Sequence, residues 1–259
     1  MPRRLLIIIF AVFFTVAAIL PAVGNEPAPA LQIVENDWPP YYFKDKSAGL
    51  PGFARQILET CLSELGYRTT FAFYPVKRMY HYLEKGEIDI AVFSYRKSRE
   101  SFVWFSREPI FCSGYRPVVR AKSGIQIRRL SDFDPLRIGH LAGLRYSKPF
   151  LAYIENRRDE GRLIISTRGD SCLRMLTSGI IDVFVDTEAT TRWRAKQMGV
   201  TGQIRILPFD IRTRDYFVTL SKQSPRIEKK QAFLKKLDQR ISAMKKDGRY
   251  AKIASRYGL

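Results

Sequence analysis

Three features of the sequence predict an α/β fold built of two related lobes. Strand-like and helix-like segments alternate from Leu31 onward, one spaced pattern occurs twice, and the composition is that of a globular chain. With 46% hydrophobic and 27% charged content in 259 residues, the chain is too apolar to stay disordered and too charged for a polytopic membrane protein. Its length admits one or two domains, each able to bury its own core.

Leu31-Gln32-Ile33-Val34 reads as a short strand that ends in the turn-rich Asn36-Asp37-Trp38-Pro39-Pro40. After Gly52, the apolar residues Phe53, Ile57, Leu58, Cys61, Leu62 and Leu65 recur at helical spacing, and Gly66 supplies the stop. Thr69 to Tyr74 is β-branched and aromatic, which suits a strand. A helix follows over Val76 to Lys85 and stops at Gly86, and Ile88 to Phe93 reads as a buried strand. Such alternation predicts parallel sheets with helices on their faces. Leu83, Gly86, Ile88, Asp89 and Val92 are then matched in spacing by Leu176, Gly179, Ile181, Asp182 and Val185. Each set describes a helix, a glycine stop, a tight turn and a buried strand, so the chain reads as two lobes of one plan. Ligands of open α/β sheets bind beyond the carboxyl ends of the strands. That places Ser94 to Arg99 at one edge of a cleft and Asp186 at the other.

The amino terminus has the build of a secretory signal peptide. Met1 to Arg4 is basic, Leu5 to Leu20 is uncharged and apolar, and Ala22-Val23-Gly24 offers small residues for cleavage. Cleavage is expected after Gly24, with Ala30 as the second choice. An uncleaved anchor is the alternative, but a run of about 16 residues is short of the roughly 20 that span a bilayer. The formal charge of +19 and pI near 10.0 would suit nucleic acid, an anionic membrane or an acidic ligand; export to the periplasm removes nucleic acid from the set. Many of the cations, as in Lys229-Lys230, Lys235-Lys236 and Lys245-Lys246, fall on helices expected to be solvated. The three cysteines (Cys61, Cys112, Cys172) and two histidines lack metal-ligand spacing, so no metal and no cofactor is expected, and the thiols are read as free and buried.

Four stretches carry a resemblance to a known family. They are Trp38-Pro39-Pro40-Tyr41; Leu83-Glu84-Lys85-Gly86-Glu87-Ile88-Asp89; Arg99 followed by Phe105-Ser106-Arg107-Glu108-Pro109; and Lys245-Lys246-Asp247-Gly248-Arg249-Tyr250-Ala251-Lys252-Ile253. In this order and separation they resemble the periplasmic solute-binding proteins of family 3, which serve polar amino-acid transporters, and the likeness runs from Leu31 to Leu259. It implies a type II periplasmic-binding-protein fold, two α/β lobes joined by two crossovers with the ligand between them. Lobe one would comprise residues 31–111 and 216–259, and lobe two residues 115–215. The implied partners are a small amino-acid-like ligand and an inner-membrane ABC transporter permease, with the binding protein a monomer. A hinge would close the lobes over the ligand.

The resemblance also implies site residues. Arg99 would fork onto a ligand carboxylate, a planar charge-assisted contact. Asp186 would meet a ligand ammonium, Trp38 would stack over the ligand's stem, and Ser94 would offer a hydroxyl or backbone contact. Asp89 and Asp182 are read instead as turn carboxylates with local hydrogen bonds. The sequence departs from the family at Arg96-Lys97-Ser98-Arg99, Gly143-Leu144-Arg145 and Gly52-Phe53-Ala54-Arg55-Gln56. These departures suggest an acidic ligand whose distal charge is read by Arg145 or Arg78, set against the reading that both arginines reach only solvent. Two other functions stay open. One is an exported dehydratase resembling cyclohexadienyl dehydratases, with Glu188 as the nearest candidate acid. The other is a ligand-sensing partner of a membrane receptor.

Overall fold

The computed structural model describes residues 30–44, 49–74, 76–142, 144 and 146–259. The expected leader over residues 1–24, with its cleavage after Gly24, and Arg145 lie outside them. No helix among the described residues is long and apolar enough to cross a membrane.

Strand β1 (Leu31–Glu35) pairs in parallel with β2 (Thr69–Phe73) and with β3 (Ile90–Ser94). Helices α1 (Phe53–Glu64) and α2 (Val76–Lys85) connect them, close to the expected bounds. α1 buries Phe53, Ala54, Ile57, Leu58, Cys61 and Leu62 on one face; each large apolar side chain so buried contributes about 1.5–3 kcal/mol relative to exposure. A second parallel set consists of β5 (Ile138–Leu141), β6 (Leu163–Ser166) and β7 (Val183–Thr187). Its helices are α3 (Lys148–Asp159) and α4 (Ser171–Thr177), and α5 (Glu188–Gln197) follows β7.

Two long strands join the sets. β4 (Val103–Arg120) runs antiparallel to β7, to the short β8 (Ile204–Ile206) and to β9 (Arg212–Ser221). β9 is also antiparallel to β3, giving the order β2-β1-β3-β9-β4-β7-β5-β6 with β8 beside β4. The wholly parallel sheets expected from the alternation are therefore corrected: each set of three is parallel, and the two connecting strands are antiparallel insertions. α6 (Lys230–Lys246) and α7 (Arg249–Arg256) return to cover α1.

Each set is covered on both faces, as parallel strands require. Ile57, Leu58, Leu237 and Ile241 fill one side of the first set, and Met79, Leu83 and Ala91 the other. Phe133, Phe150 and Ile154 fill one side of the second set, and Cys172, Leu173 and Leu176 the other.

The repeated sequence pattern is repeated in atoms. Asp89 donates its N–H to the Gln32 carbonyl at 2.9 Å, and its carboxylate accepts the Gln32 N–H at 2.7 Å. Asp182 donates to the Arg137 carbonyl at 2.9 Å and accepts the Arg137 N–H at 3.0 Å. In each case the aspartate ties the start of one strand to the start of its neighbour. Gly86, between the repeat's leucine and aspartate, has φ +74°, and a Cβ there would lie 2.2 Å from the Gln223 carbonyl oxygen, so no side chain fits.

Candidate functional site

The ends of β3 and β7, with the segments of β4 and β9 that link the two sets, form the candidate site. The tight 3₁₀ turn Lys97–Arg99 follows β3 and brings Arg99 back over the strand end. One Arg99 nitrogen, Nη1, donates to the Ser94 carbonyl, and Nη2 donates to the Tyr80 hydroxyl at 2.7 Å. The guanidinium lies over the Phe93 ring, 4.7 Å from its centroid, and 5.5 Å from that of Tyr80. A guanidinium has more N–H donors than these two bonds use, so Arg99 is oriented with donors left over. Partial burial lowers its pKa; the Tyr80 hydroxyl opposes that effect and the neighbouring Arg96 adds to it.

Trp38 is set by the turn after β1. Its carbonyl accepts the N–H groups of Tyr41 and Tyr42, and the Pro40 and Tyr41 carbonyls accept those of Phe53 and Ala54 at the start of α1. Gly52 makes that docking possible, since a Cβ there would sit 2.6 Å from the Tyr41 carbonyl oxygen. Trp38 then packs edge-on to Tyr216 at 4.9 Å and Phe111 at 5.5 Å, while Phe111 stacks on Tyr41 at 3.9 Å. Ser94 is buried beside this cluster, opposite Tyr216 in the β3–β9 ladder, and its carbonyl is already taken by Arg99.

The β4–β9 register carries the site onward. Phe111 faces Tyr216 and Tyr115 faces Arg212, so these four share one face of the ribbon. Arg212 donates to the Tyr146 carbonyl at 3.0 Å, and the Tyr146 hydroxyl donates to the Val185 carbonyl at 2.8 Å. Asp186 follows at the end of β7, as its strand position predicted. It is buried, accepts the Thr187 N–H at 2.7 Å, and accepts Arg194 Nη1 at 3.1 Å. Burial raises its pKa, and the Arg194 charge and Thr187 N–H oppose the rise. Its charge is thus balanced within the chain.

The expected residues fare differently. Arg99, Ser94 and Trp38 converge on one strand end, and Asp186 lies at the other. Arg78 is exposed on α2, about 200° around the helix from Tyr80 at 3.6 residues per turn, so it is not brought beside Arg99. Arg145 lies outside the described residues. Glu188 is engaged by Arg192 at 2.7 Å on the same helix. Tyr80, Arg96, Tyr115, Arg194, Arg212 and Tyr216 joined the site only in the structure. The signals for them were the departure from the family at Arg96 and the alternation of Arg212, Arg214 and Tyr216 along an extended segment. Cys112 is exposed rather than buried, because its side of the ribbon bears Thr213 and Asp215 instead of apolar cover. Among the described residues no cluster of His, Cys, Asp and Glu could hold a metal ion.

Comparison with known proteins agrees with this architecture. No curated protein matches the sequence. Among solved structures, a histidine kinase sensor domain with similarity to periplasmic binding proteins superposes with TM-score 0.65 at 18% identity, over 89% of this chain and 96% of that one. An ancestral arginine-binding protein bound to arginine gives 0.64 at 24% identity, over 88% and 97%. The GluR0 ligand-binding core from Nostoc punctiforme, in complex with L-glutamate, gives 0.64 at 20% identity, over 88% and 98%. These superpositions establish the fold, the type II periplasmic-binding-protein fold of two α/β lobes joined by two crossover strands. The model for bacterial extracellular solute-binding proteins, family 3, matches residues 32–259, and the chain belongs to that family.

Proposed function

We propose that the protein captures a small carboxylate-bearing, amino-acid-like solute between its lobes in the periplasm and delivers it to an inner-membrane ABC importer. The observation that carries this reading is Arg99, held by the Ser94 carbonyl and the Tyr80 hydroxyl at a strand end with donors to spare. A carboxylate meeting such a fork gains two parallel charge-assisted bonds without the cost of ordering a free side chain. Trp38 and Tyr216 form the aromatic wall, Ser94 acts through the carbonyl that fixes Arg99, and Asp186 bounds the opposite side. Arg145 stays in the proposed set by its place in the sequence, as the reader of a distal charge, and Arg78, exposed on α2 away from Tyr80, is left out of it. Lobe one comprises residues 31–111 and 216–259 and lobe two residues 115–215, with β4 and β9 as the crossovers, and the leader over 1–24 is cleaved.

The dehydratase reading has less support, since Glu188 is paired with Arg192. A sensing role shares the same fold and differs only in the partner. Mass spectrometry of the solute that copurifies with the native protein tests the capture step: a small carboxylate that also raises the melting temperature of the stripped protein supports it. Absence of binding by any amino acid or small carboxylate rejects it. Growth of a gene deletion on that solute as sole source separates the partners, with loss of growth favouring transport over sensing.

A further inference from the structure

We propose that the solvent face of α6 holds the protein against an anionic phospholipid surface, through lysines set along its two flanks. The proposal goes beyond solute capture, since α6 supplies no residue to the candidate site.

The positive charge of the chain is concentrated toward its end. Residues 222–256 hold twelve Lys or Arg against three Asp or Glu, close to half of the formal excess of +19. On the helices of the second set the arginines have acidic partners. Arg157 and Arg158 on α3 meet Glu160 and Glu155, Arg174 on α4 meets Asp170, and Arg192 and Arg194 on α5 meet Glu188 and Asp186. The acids near α6 are drawn elsewhere. Asp238 accepts the N–H groups of Arg107 and Glu108, each at 3.0 Å. Glu64 is shared by Arg240 and Arg249, and Asp247 is engaged by Arg249. Glu228, beside Lys229, is the one acid of this segment left at the surface without such a bond among the described residues.

The lysines of α6 divide into bound and free. Lys230 donates to the Ile227 carbonyl at 2.9 Å, and Lys245 to the Glu108 carboxylate and the Pro109 carbonyl, both at 2.6 Å. Lys229, Lys235, Lys236 and Lys246 are exposed, and their ammonium groups have no ion pair or hydrogen bond among the described residues. Helical spacing sets these four in two rows. Lys229 and Lys236, about two turns apart, line a surface groove with Tyr67 on one flank of α6. Lys235 and Lys246, about three turns apart, line a groove with Arg107 on the other. Between the rows run Ala232, Gln239 and Ala243, all exposed and neutral, while Phe233, Leu234, Leu237, Ile241 and Met244 are buried on the opposite side.

The residue type chooses the occupant. A lysine ammonium is a compact, strongly hydrated charge on a flexible stem, whereas shaped recognition of a carboxylate or phosphate uses the planar arginine fork. Lysine is also depleted at the cores of protein–protein interfaces. Two rows of free lysines astride a ridge of neutral residues therefore fit a hydrated sheet of anionic headgroups better than a protein of fixed shape. Each lysine brought to such a surface strengthens the attraction roughly fivefold, and salt screens it beyond about 10 Å. A chain held this way stays beside the membrane importer proposed above.

Co-sedimentation of the mature chain with vesicles of phosphatidylglycerol mixed with phosphatidylcholine, against vesicles of phosphatidylcholine alone, tests the proposal. At low salt the chain is expected to bind the anionic vesicles only, and to leave them in about 0.5 M salt. One variant carries Lys229→Gln, Lys235→Gln, Lys236→Gln and Lys246→Gln. Its control carries Lys122→Gln, Arg128→Gln, Arg162→Gln and Lys196→Gln, which remove the same charge from exposed cations without ion pairs among the described residues. The α6 variant is expected to lose at least tenfold more vesicle affinity than the control, and a smaller difference overturns the proposal, because net charge rather than α6 then governs. Absence of binding to anionic vesicles by the wild type also overturns it, and assigns the face to an acidic protein instead. Should the α6 variant not fold, acetylation of the wild type read by mass spectrometry decides. Anionic vesicles are expected to shield Lys235, Lys236 and Lys246 and to leave Lys122 and Lys196 reactive; equal shielding of the two groups overturns the proposal.

Discussion

Removing Arg99 separates its work in binding from its work in folding. In the free protein its guanidinium makes two hydrogen bonds, to the Ser94 carbonyl and the Tyr80 hydroxyl, and rests on two rings. Truncation to alanine leaves that carbonyl and hydroxyl without their donor at a half-buried place. The loss is about 1–3 kcal/mol, and the melting temperature falls by about 2–10 °C. The ligand loses more. Two charge-assisted bonds to a carboxylate are worth about 1.5–3 kcal/mol each, so together about 3–6 kcal/mol, or roughly 10²–10⁴-fold in Kd. Arg99→Lys keeps the charge but cannot reach the Ser94 carbonyl, the Tyr80 hydroxyl and a ligand carboxylate at once, so its affinity falls between the two. Calorimetry with the copurifying solute reads the affinities, and differential scanning calorimetry without solute reads the stability. Binding by the folded Arg99→Ala protein within a few-fold of wild type refutes the assignment of Arg99 to the ligand.

Three further outcomes are expected. Asp89, fully buried and bonded to Gln32, Ser224 and Arg226, costs more to replace by alanine than its repeat counterpart Asp182, which is partly exposed; denaturant melts showing equal losses would contradict this ordering. The Arg137 side chain beside Asp182, with Arg120, holds that carboxyl well below the usual carboxylate range. A depressed folded pKa gives stability that is present above about pH 4 and lost as pH falls further. The gap in melting temperature between wild type and Asp182→Asn therefore narrows from pH 5 to pH 2, and a constant gap counts against the ion pairs. Finally, Cys112 is exposed while Cys61 and Cys172 are buried, their thiols pushed up to about 12 by burial. A thiol reagent at pH 8 should label Cys112 alone in the native protein and all three in denaturant, and native labelling of Cys61 or Cys172 would refute the packing.

What the sequence disclosed was local. The helix-glycine-strand joints at Gly86 and Gly179 lie within a few residues of their aspartates, so their spacing alone revealed two related units, and the aspartates bond alike. The place of Arg99 at a strand end was legible because the turn that carries it is short and its partner Ser94 is five residues away. The antiparallel insertion was not, because β4 and β9 pair residues 97 to 118 positions apart and β4 contains Pro109 and Pro117. Proline breaks the alternation by which a strand is recognised, and Pro109 sits at the register shift where the ladder is irregular. Arg194 was illegible for a similar reason. On its own helix it is one of two arginines, and only the fold of the β6–α4 turn puts Gly169 beneath it.

Helix α5 ties the chemistry of the cleft to the arrangement of the lobes. It follows β7 in sequence, yet Ala189 and Trp193 pack against the core beneath α1, with Trp193 5.1 Å from Phe43 and 6.3 Å from Tyr257. Its Thr190 hydroxyl takes a hydrogen bond from Thr187 and gives one to the Pro39 carbonyl, beside Trp38, both at 2.6 Å. Arg194, which balances Asp186, is the next residue after Trp193. A ligand that competes for Asp186 would pull on the helix holding the two sets of strands together, whereas one that leaves the pair intact would not. The Asp186–Arg194 pair thus lies one residue from Trp193, by which α5 packs against the core of the first set. Thr190→Val tests the mechanical half of that argument. Loss of the bond to Pro39, about 1 kcal/mol, should weaken solute binding about fivefold if the contact forms only in the closed state. An unchanged Kd with a lowered melting temperature would mean that α5 stays docked whether or not ligand is bound, so that closure must be sought in β4 and β9 instead.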